Sequence, residues 1–229
     1  MPAETNLPLT ELTALSAVDG RYARTTAELR AVFSEFAYMR ARVRVEIEWL
    51  LALSALGLPE LPALAAADGA AARALAQGFS LADCERIKAI ESRINHDVKA
   101  VEYWLRTRIG HVPELKDKLE FIHFACTSED INNTSHALML KAAREQVVLP
   151  AIDGILTRMQ AMAHRFAAVP MLSRTHGQTA SPTTVGKEVA NVLGISTRTA
   201  ESHKYEIMRL LGVQTTAALV RYAVRIKLV

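Results

Sequence analysis

The sequence predicts an all-α fold organised as a bundle of long helices, and three observations carry that reading. Apolar residues recur at intervals of three and four through most of the chain. Two-residue alternation is almost absent, so no strand is assigned. The composition suits helix packing: half of the 229 residues are hydrophobic, only 6% are aromatic, and Ala and Leu are abundant.

In chain order, residues 1–20 form a mixed leader that ends in the turn signal Asp19-Gly20. From about Thr25 to Leu56, helical spacing is carried by Leu29, Val32, Phe33, Phe36, Met39, Val43, Ile47, Leu50 and Leu51. Gly57, Pro59 and Pro62 stop that helix. The Ala-rich stretch 63–78 reads as a short helix without chemistry. A helix opening near Ser80 carries Leu81, Ile87, Ile90 and Ile94, meets Asn95-His96-Asp97, and resumes through Val98, Val101, Trp104 and Leu105. Pro113 opens another short helix. A long periodic segment follows Thr127, with Pro150 as a kink or joint. Pro170 and Pro182 bracket a polar loop, Ser173–Gln178.

Bulk properties exclude several classes. No apolar run reaches the ~18 to 20 residues of a membrane span, and no signal-peptide pattern opens the chain, so no membrane partner is expected. Cys84 and Cys126 form neither a CxxC motif nor a disulfide framework, which points to a reducing cytoplasm. HExxH, paired CxxC, GxGxxG and P-loop patterns are missing, so neither metal nor dinucleotide is expected. The net charge of +3 is uneven. From Lys187 to Val229 there are seven Lys/Arg and three Glu, leaving 20 basic and 21 acidic residues elsewhere. A basic end points to nucleic acid, and a solvated helical face explains it nearly as well.

Four polar segments stand where chemistry can sit. Arg21-Tyr22 offers a planar fork of donors for phosphate or carboxylate, although a surface Arg beside a core Tyr is the simpler account. Asn95-His96-Asp97 interrupts an apolar helix face, and its neighbours can set the His tautomer; a satisfied helix junction is the plainer alternative. Thr127 and Asp130 have capping-box spacing, with Asp in place of Glu or Gln. Such a helix start, with hydroxyls at Thr127 and Ser128, also suits an anionic ligand. In Ser173–Gln178, His176 stands beside Arg174 and Gly177 in a loop, where a general acid is well placed. His123 and His136 flank the Thr127 segment, with packed or surface roles the simpler reading. His111 and His164 read as surface residues.

Taken in order, SAVDGRY at 16–22, RINHDVKAVEYWL at 93–105, EFIHFACTSEDINN at 120–133 and SRTHGQTASPTTVGKE at 173–188 resemble the bacterial adenylosuccinate lyases of the fumarase/aspartase superfamily. The resemblance implies a helical N-terminal domain over 1–118 and the start of the central helical bundle over 119–188. It implies a cofactor-free elimination of fumarate from adenylosuccinate and from the succinylo-carboxamide imidazole ribotide of purine synthesis. His176 falls on the family's general acid. Arg21, Tyr22, Asn95, His96, Asp97, Thr127 and Ser128 fall on its substrate-binding groups. The family assembles as a homotetramer around the bundle, and its base is a Ser on a loop resembling SSxMPxKxN. These 229 residues hold no such stretch, so the chain by itself is expected to be an inactive, truncated lyase.

After Glu188 the lyase pattern is lost. Residues 189–229 resemble a partial LuxR-type helix-turn-helix, with Ser196 as a cap between two motif helices. That resemblance implies weak DNA contact through Thr197, Arg198, Ser202 and Lys204. Two further readings follow: a DNA-binding regulator acting through this tail, or a non-functional fusion or assembly of two genes at a shared GKEVAN-like string.

Overall fold

The computed structural model describes Thr10, residues 12–176 and 178–193, and Arg209, Gly212 and Gln214. Thr197, Arg198, Ser202 and Lys204, and with them the expected helix-turn-helix, lie outside the described residues. The chain forms two compact units, Met1–Val148 and Leu149–Val229.

In the first unit, a 3-10 turn at Ala27–Leu29 leads into the short helix α1 (Arg30–Phe33) and then the spine, α2 (Glu35–Ala55). The single helix expected from about Thr25 is broken at Ser34. Its backbone is extended, with ψ of 163°, and its side chain accepts from the Ala37 N–H, which starts a new helix. Met39, Val43, Ile47 and Leu50 are buried along one face of α2. Against that face pack α3 (Ala66–Gln77), α4 (Leu81–Ile94) and α5 (Asp97–Ile109), which supply Ala72, Ile87, Val101 and Leu105 to the same core. Each large aliphatic buried this way contributes about 1.5–3 kcal/mol. Phe79 meets Trp104 edge-on at 5.3 Å inside this core.

The short helix expected at Pro113 is a 3-10 segment, Pro113–Phe121. Next comes α6 (Ser128–Ala143), which also lies on α2. Val45, Val98 and Ile131, from α2, α5 and α6, close a second small core. A π-helical turn, Arg144–Val148, ends the unit just before Pro150. Proline has no N–H to give and its ring crowds the preceding turn, so the joint expected there is realised as this widened turn.

In the second unit, α7 (Leu149–Arg165) is followed by strands β1 (Pro170–Thr175) and β2 (Gln178–Thr184) and by α8 (Val185–Val192). The polar loop expected at Ser173–Gln178 is therefore the tip of an antiparallel hairpin. Each strand of a two-stranded sheet has a free edge, so Pro170, paired with Thr184, and Pro182, paired with Leu172, are tolerated. Ser173 donates its hydroxyl to the Ser181 carbonyl at 2.9 Å, beside a register shift between Leu172 and Arg174. Thr184 caps α8 by accepting from the Lys187 N–H at 3.1 Å. A Cβ at Gly186 would meet the Ala163 carbonyl at 2.2 Å, so only glycine lets α8 approach α7 this closely. Among the described residues the fold is all-α apart from this hairpin.

Candidate active site

The first unit brings two of the segments that the sequence singled out, Asn95–Asp97 and Thr127–Ser128, to neighbouring helix starts. Asn95 ends α4 in the left-handed region, with φ of 54°. His96 then caps α5: its Nδ1 accepts from the Lys99 N–H at 3.2 Å. That bond uses the Nδ1 lone pair, so the neutral ring carries its proton on Nε2 and is a donor on that side. The His96 side chain is half-exposed. Asp97 opens α5 and accepts from the Val98 N–H at 2.8 Å. The helix junction read from the sequence is therefore present, and it leaves a donor facing outward.

Thr127 and Asp130 form the expected capping box. Asp130 Oδ2 accepts from the Thr127 N–H at 2.7 Å and from its hydroxyl at 2.8 Å, while Thr127 Oγ1 accepts from the Asp130 N–H at 3.4 Å. These bonds hold the Asp130 carboxyl below its ordinary range. The Thr127 hydroxyl is thus committed to the cap. The Ser128 hydroxyl and the N–H groups of Ser128 and Glu129 make no hydrogen bond among the described residues. They sit at the positive end of α6 and suit an anion.

A residue outside the sequence-derived set joins these two helix starts. Arg42, 2% exposed, projects from α2 and donates through Nη2 to Asp97 at 2.6 Å and through Nε to Asn132 at 2.9 Å. Its guanidinium also lies 3.9 Å from the Tyr38 ring centroid, and Tyr38 stacks on His136 at 4.5 Å. Burial disfavours the charged form of Asp97, but the Val98 N–H and the Arg42 guanidinium outweigh it and hold the carboxyl below its ordinary range. With Val98 and Ile131 sharing one small core, the first turns of α5 and α6 stand side by side on α2.

Glu46, one turn further along α2, is fully buried, and its Oε1 lies 2.6 Å from His123 Nδ1. Burial pushes the Glu46 carboxyl up; the bond and charge of His123 oppose this, and Glu102 adds to it. His123 and Ala125 hold φ of 62° and 57°, so the Glu46 bond sits in a strained segment just ahead of the Thr127 cap. The sequence contained a signal for both residues. Arg42 and Glu46 occupy positions inside the apolar stripe of Met39, Val43, Ile47 and Leu50, where an unpaired charge is costly.

Arg21 and Tyr22 are exposed in a run of turns, with the guanidinium 5.3 Å from the Tyr22 ring centroid. Those turns are closed by Tyr22 N–H to Ala17 O and by Thr26 Oγ1 donating to Val18 O and Tyr22 O. His176 belongs to the second unit. It is exposed and takes φ of 52° in the hairpin turn, so its ring stands at a tip with a backbone that turn geometry fixes.

The lyase family model matches residues 20–227. The chain is 53% identical to the adenylosuccinate lyase of Vibrio cholerae and 50% identical to that of Escherichia coli, each over 187 residues. Those matches cover 81% of this chain and 41% of each relative, so the chain spans about two fifths of their length. Among solved structures, a fumarate lyase from Mesorhizobium is similar with a TM-score of 0.58 at 21% identity, covering 81% of this chain and 39% of that one. The β-carboxy-cis,cis-muconate cycloisomerase of Acinetobacter calcoaceticus is similar with a TM-score of 0.56 at 18% identity, over 81% and 40%. These two likenesses bear on fold alone. By the match that runs through most of its length, the chain belongs to the lyase family.

Proposed function

We propose that this chain supplies the substrate-anchoring and acid-bearing part of an adenylosuccinate lyase. The observation that carries the reading is the pairing of two capped helix starts, at His96 and Thr127, by the buried Arg42. This pairing sets the Nε2 donor of His96 and the free Ser128 donors on neighbouring elements. A substrate with two carboxylates and a phosphate calls for such donors, with Arg21 as a further cation and Tyr22, Asn95 and Asp97 completing the set. In the elimination, a base removes the proton alpha to a carboxylate and the carbon–nitrogen bond breaks. The electron pair leaves with the purine nitrogen, which His176 protonates, and fumarate departs. The same chemistry serves the analogous imidazole ribotide. In this reading, drawn from the resemblance to the lyases, the complete enzyme works in the cytoplasm as a homotetramer. In keeping with a helical partner, α7 exposes Leu149, Ile152, Ile155, Leu156 and Met162 at helical spacing.

The test is complementation. The chain is mixed with a full-length relative whose counterpart of His176 has been replaced, and fumarate release from adenylosuccinate is followed. Activity that returns with the chain and not with its His176→Ala variant is expected. No return, although the two chains co-purify, overturns the assignment.

The basic residues after Lys187 favour a second reading for the tail: salt-sensitive contact with DNA phosphates, without sequence preference.

A further inference from the structure

A groove in the first unit is formed by α1, α2, α3 and α6, and none of its lining residues belongs to the paired helix starts. Along α6, Met139 is roughly 18 Å from Thr127 at the rise of an α-helix. The groove encloses about 640 Å³, within the roughly 300–1,000 Å³ of small-molecule sites. Its floor is apolar, made by Val32, Ile47, Ala76 and Met139, all buried, with Leu138 beside them.

Its rim is cationic. Arg40, Arg44 and Glu48 are spaced by four on α2 and therefore share one face, and Arg73 reaches over from α3. Glu48 is shared: Arg73 donates to both of its oxygens at 2.8 Å, and these bonds, with the Arg73 and Arg44 charges, hold its carboxyl below its ordinary range. Arg40 is anchored through Nη2 to the Ala31 carbonyl at 2.9 Å. Arg44 has neither a hydrogen bond nor an ion pair among the described residues. Arg40 and Arg44 thus stand one turn apart at the mouth of an apolar groove, and with Arg73 and the single carboxylate of Glu48 the rim keeps an excess of positive charge. That arrangement is unfavourable on a helix and is relieved by an anion.

We propose that this groove binds an amphipathic anion: an apolar chain lying on Leu138 and against Val32 and Met139, with a single carboxylate held by Arg44 and Arg40. The site is independent of the lyase reading, because none of its residues belongs to the proposed substrate set. Arg44 is exposed, so replacing it leaves the core intact.

Decanoate, below its micelle concentration, is titrated into the isotopically labelled chain and followed amide by amide. Saturable shifts confined to 39–48, 73–77 and 138–146 are expected. Arg44→Gln should weaken the affinity about tenfold or more, the loss of one charge-assisted hydrogen bond. The double variant Arg40→Gln/Arg44→Gln should remove saturation, and decanol should bind at least about tenfold more weakly than decanoate. The absence of shifts overturns the proposal. Shifts confined to other surfaces, such as the apolar face of α7, do the same, as does undiminished binding by the double variant. Inorganic phosphate binding as tightly as decanoate also overturns it, since the apolar floor would then contribute nothing.

Discussion

Arg42 holds Asp97 at 2.6 Å and Asn132 at 2.9 Å, so one buried guanidinium ties the first turn of α5 to the first turn of α6. Replacing it by leucine keeps bulk in the core but frees both helix starts. Breaking a fully buried pair costs roughly 3–5 kcal/mol; the Asp97 side chain is half-exposed and can be resolvated, so about 2 kcal/mol is expected here. Urea unfolding of Arg42→Leu measures this. A loss below about 0.5 kcal/mol, the size of an ordinary surface change, would mean that the tie has little weight.

Asp97 adds an acid dependence. Its folded carboxyl lies below its ordinary value of 3.8, so it contributes stability above that value and loses it as pH falls through the depressed folded one. Comparing acid unfolding of the chain with that of Asp97→Asn should show a shallower loss in the variant below about pH 4. Identical acid profiles would remove Asp97 from the account.

Glu46 works in the opposite sense. Its carboxyl is raised above 4.5 by burial, so its contribution is full below that value and declines as pH rises through the folded one. Glu46→Gln keeps an acceptor for His123 without the buried charge. The variant should melt higher than the parent at pH 7, and the difference should close near pH 4. A lower Tm at pH 7 would show that the ionised pair stabilises the fold.

What the sequence revealed was local. The Thr127–Asp130 box and the Asn95–Asp97 junction depend on residues within three or four positions, and both were legible. Arg42 was legible only as a charge inside an apolar stripe; its partners lie 55 and 90 positions away, and only the folded chain brings them near. The hairpin was hidden for a different reason. Its second strand buries only its last two residues, Thr183 and Thr184, so no apolar alternation marks it. Among the site residues, the donor left on His96 could be assigned only once its Nδ1 partner was known.

For the tail, nitrocellulose capture of random duplexes by the chain should weaken steeply between 50 and 200 mM salt, as phosphate contacts do. Changing Arg198 and Lys204 to Ala should flatten that dependence. Recovery of a defined sequence motif instead would make the tail a specific reader.

The most direct test of the central claim is a titration of adenylosuccinate into the labelled chain, followed at the amides of Val98, Lys99, Ser128 and Glu129. Saturable shifts are predicted there, with a dissociation constant on the order of millimolar, about a thousandfold weaker than micromolar, and lost in the double variant Arg21→Ala/Ser128→Ala. Silence at those four amides, or shifts that survive the double substitution, would contradict the claim that the paired helix starts form the substrate's anchor.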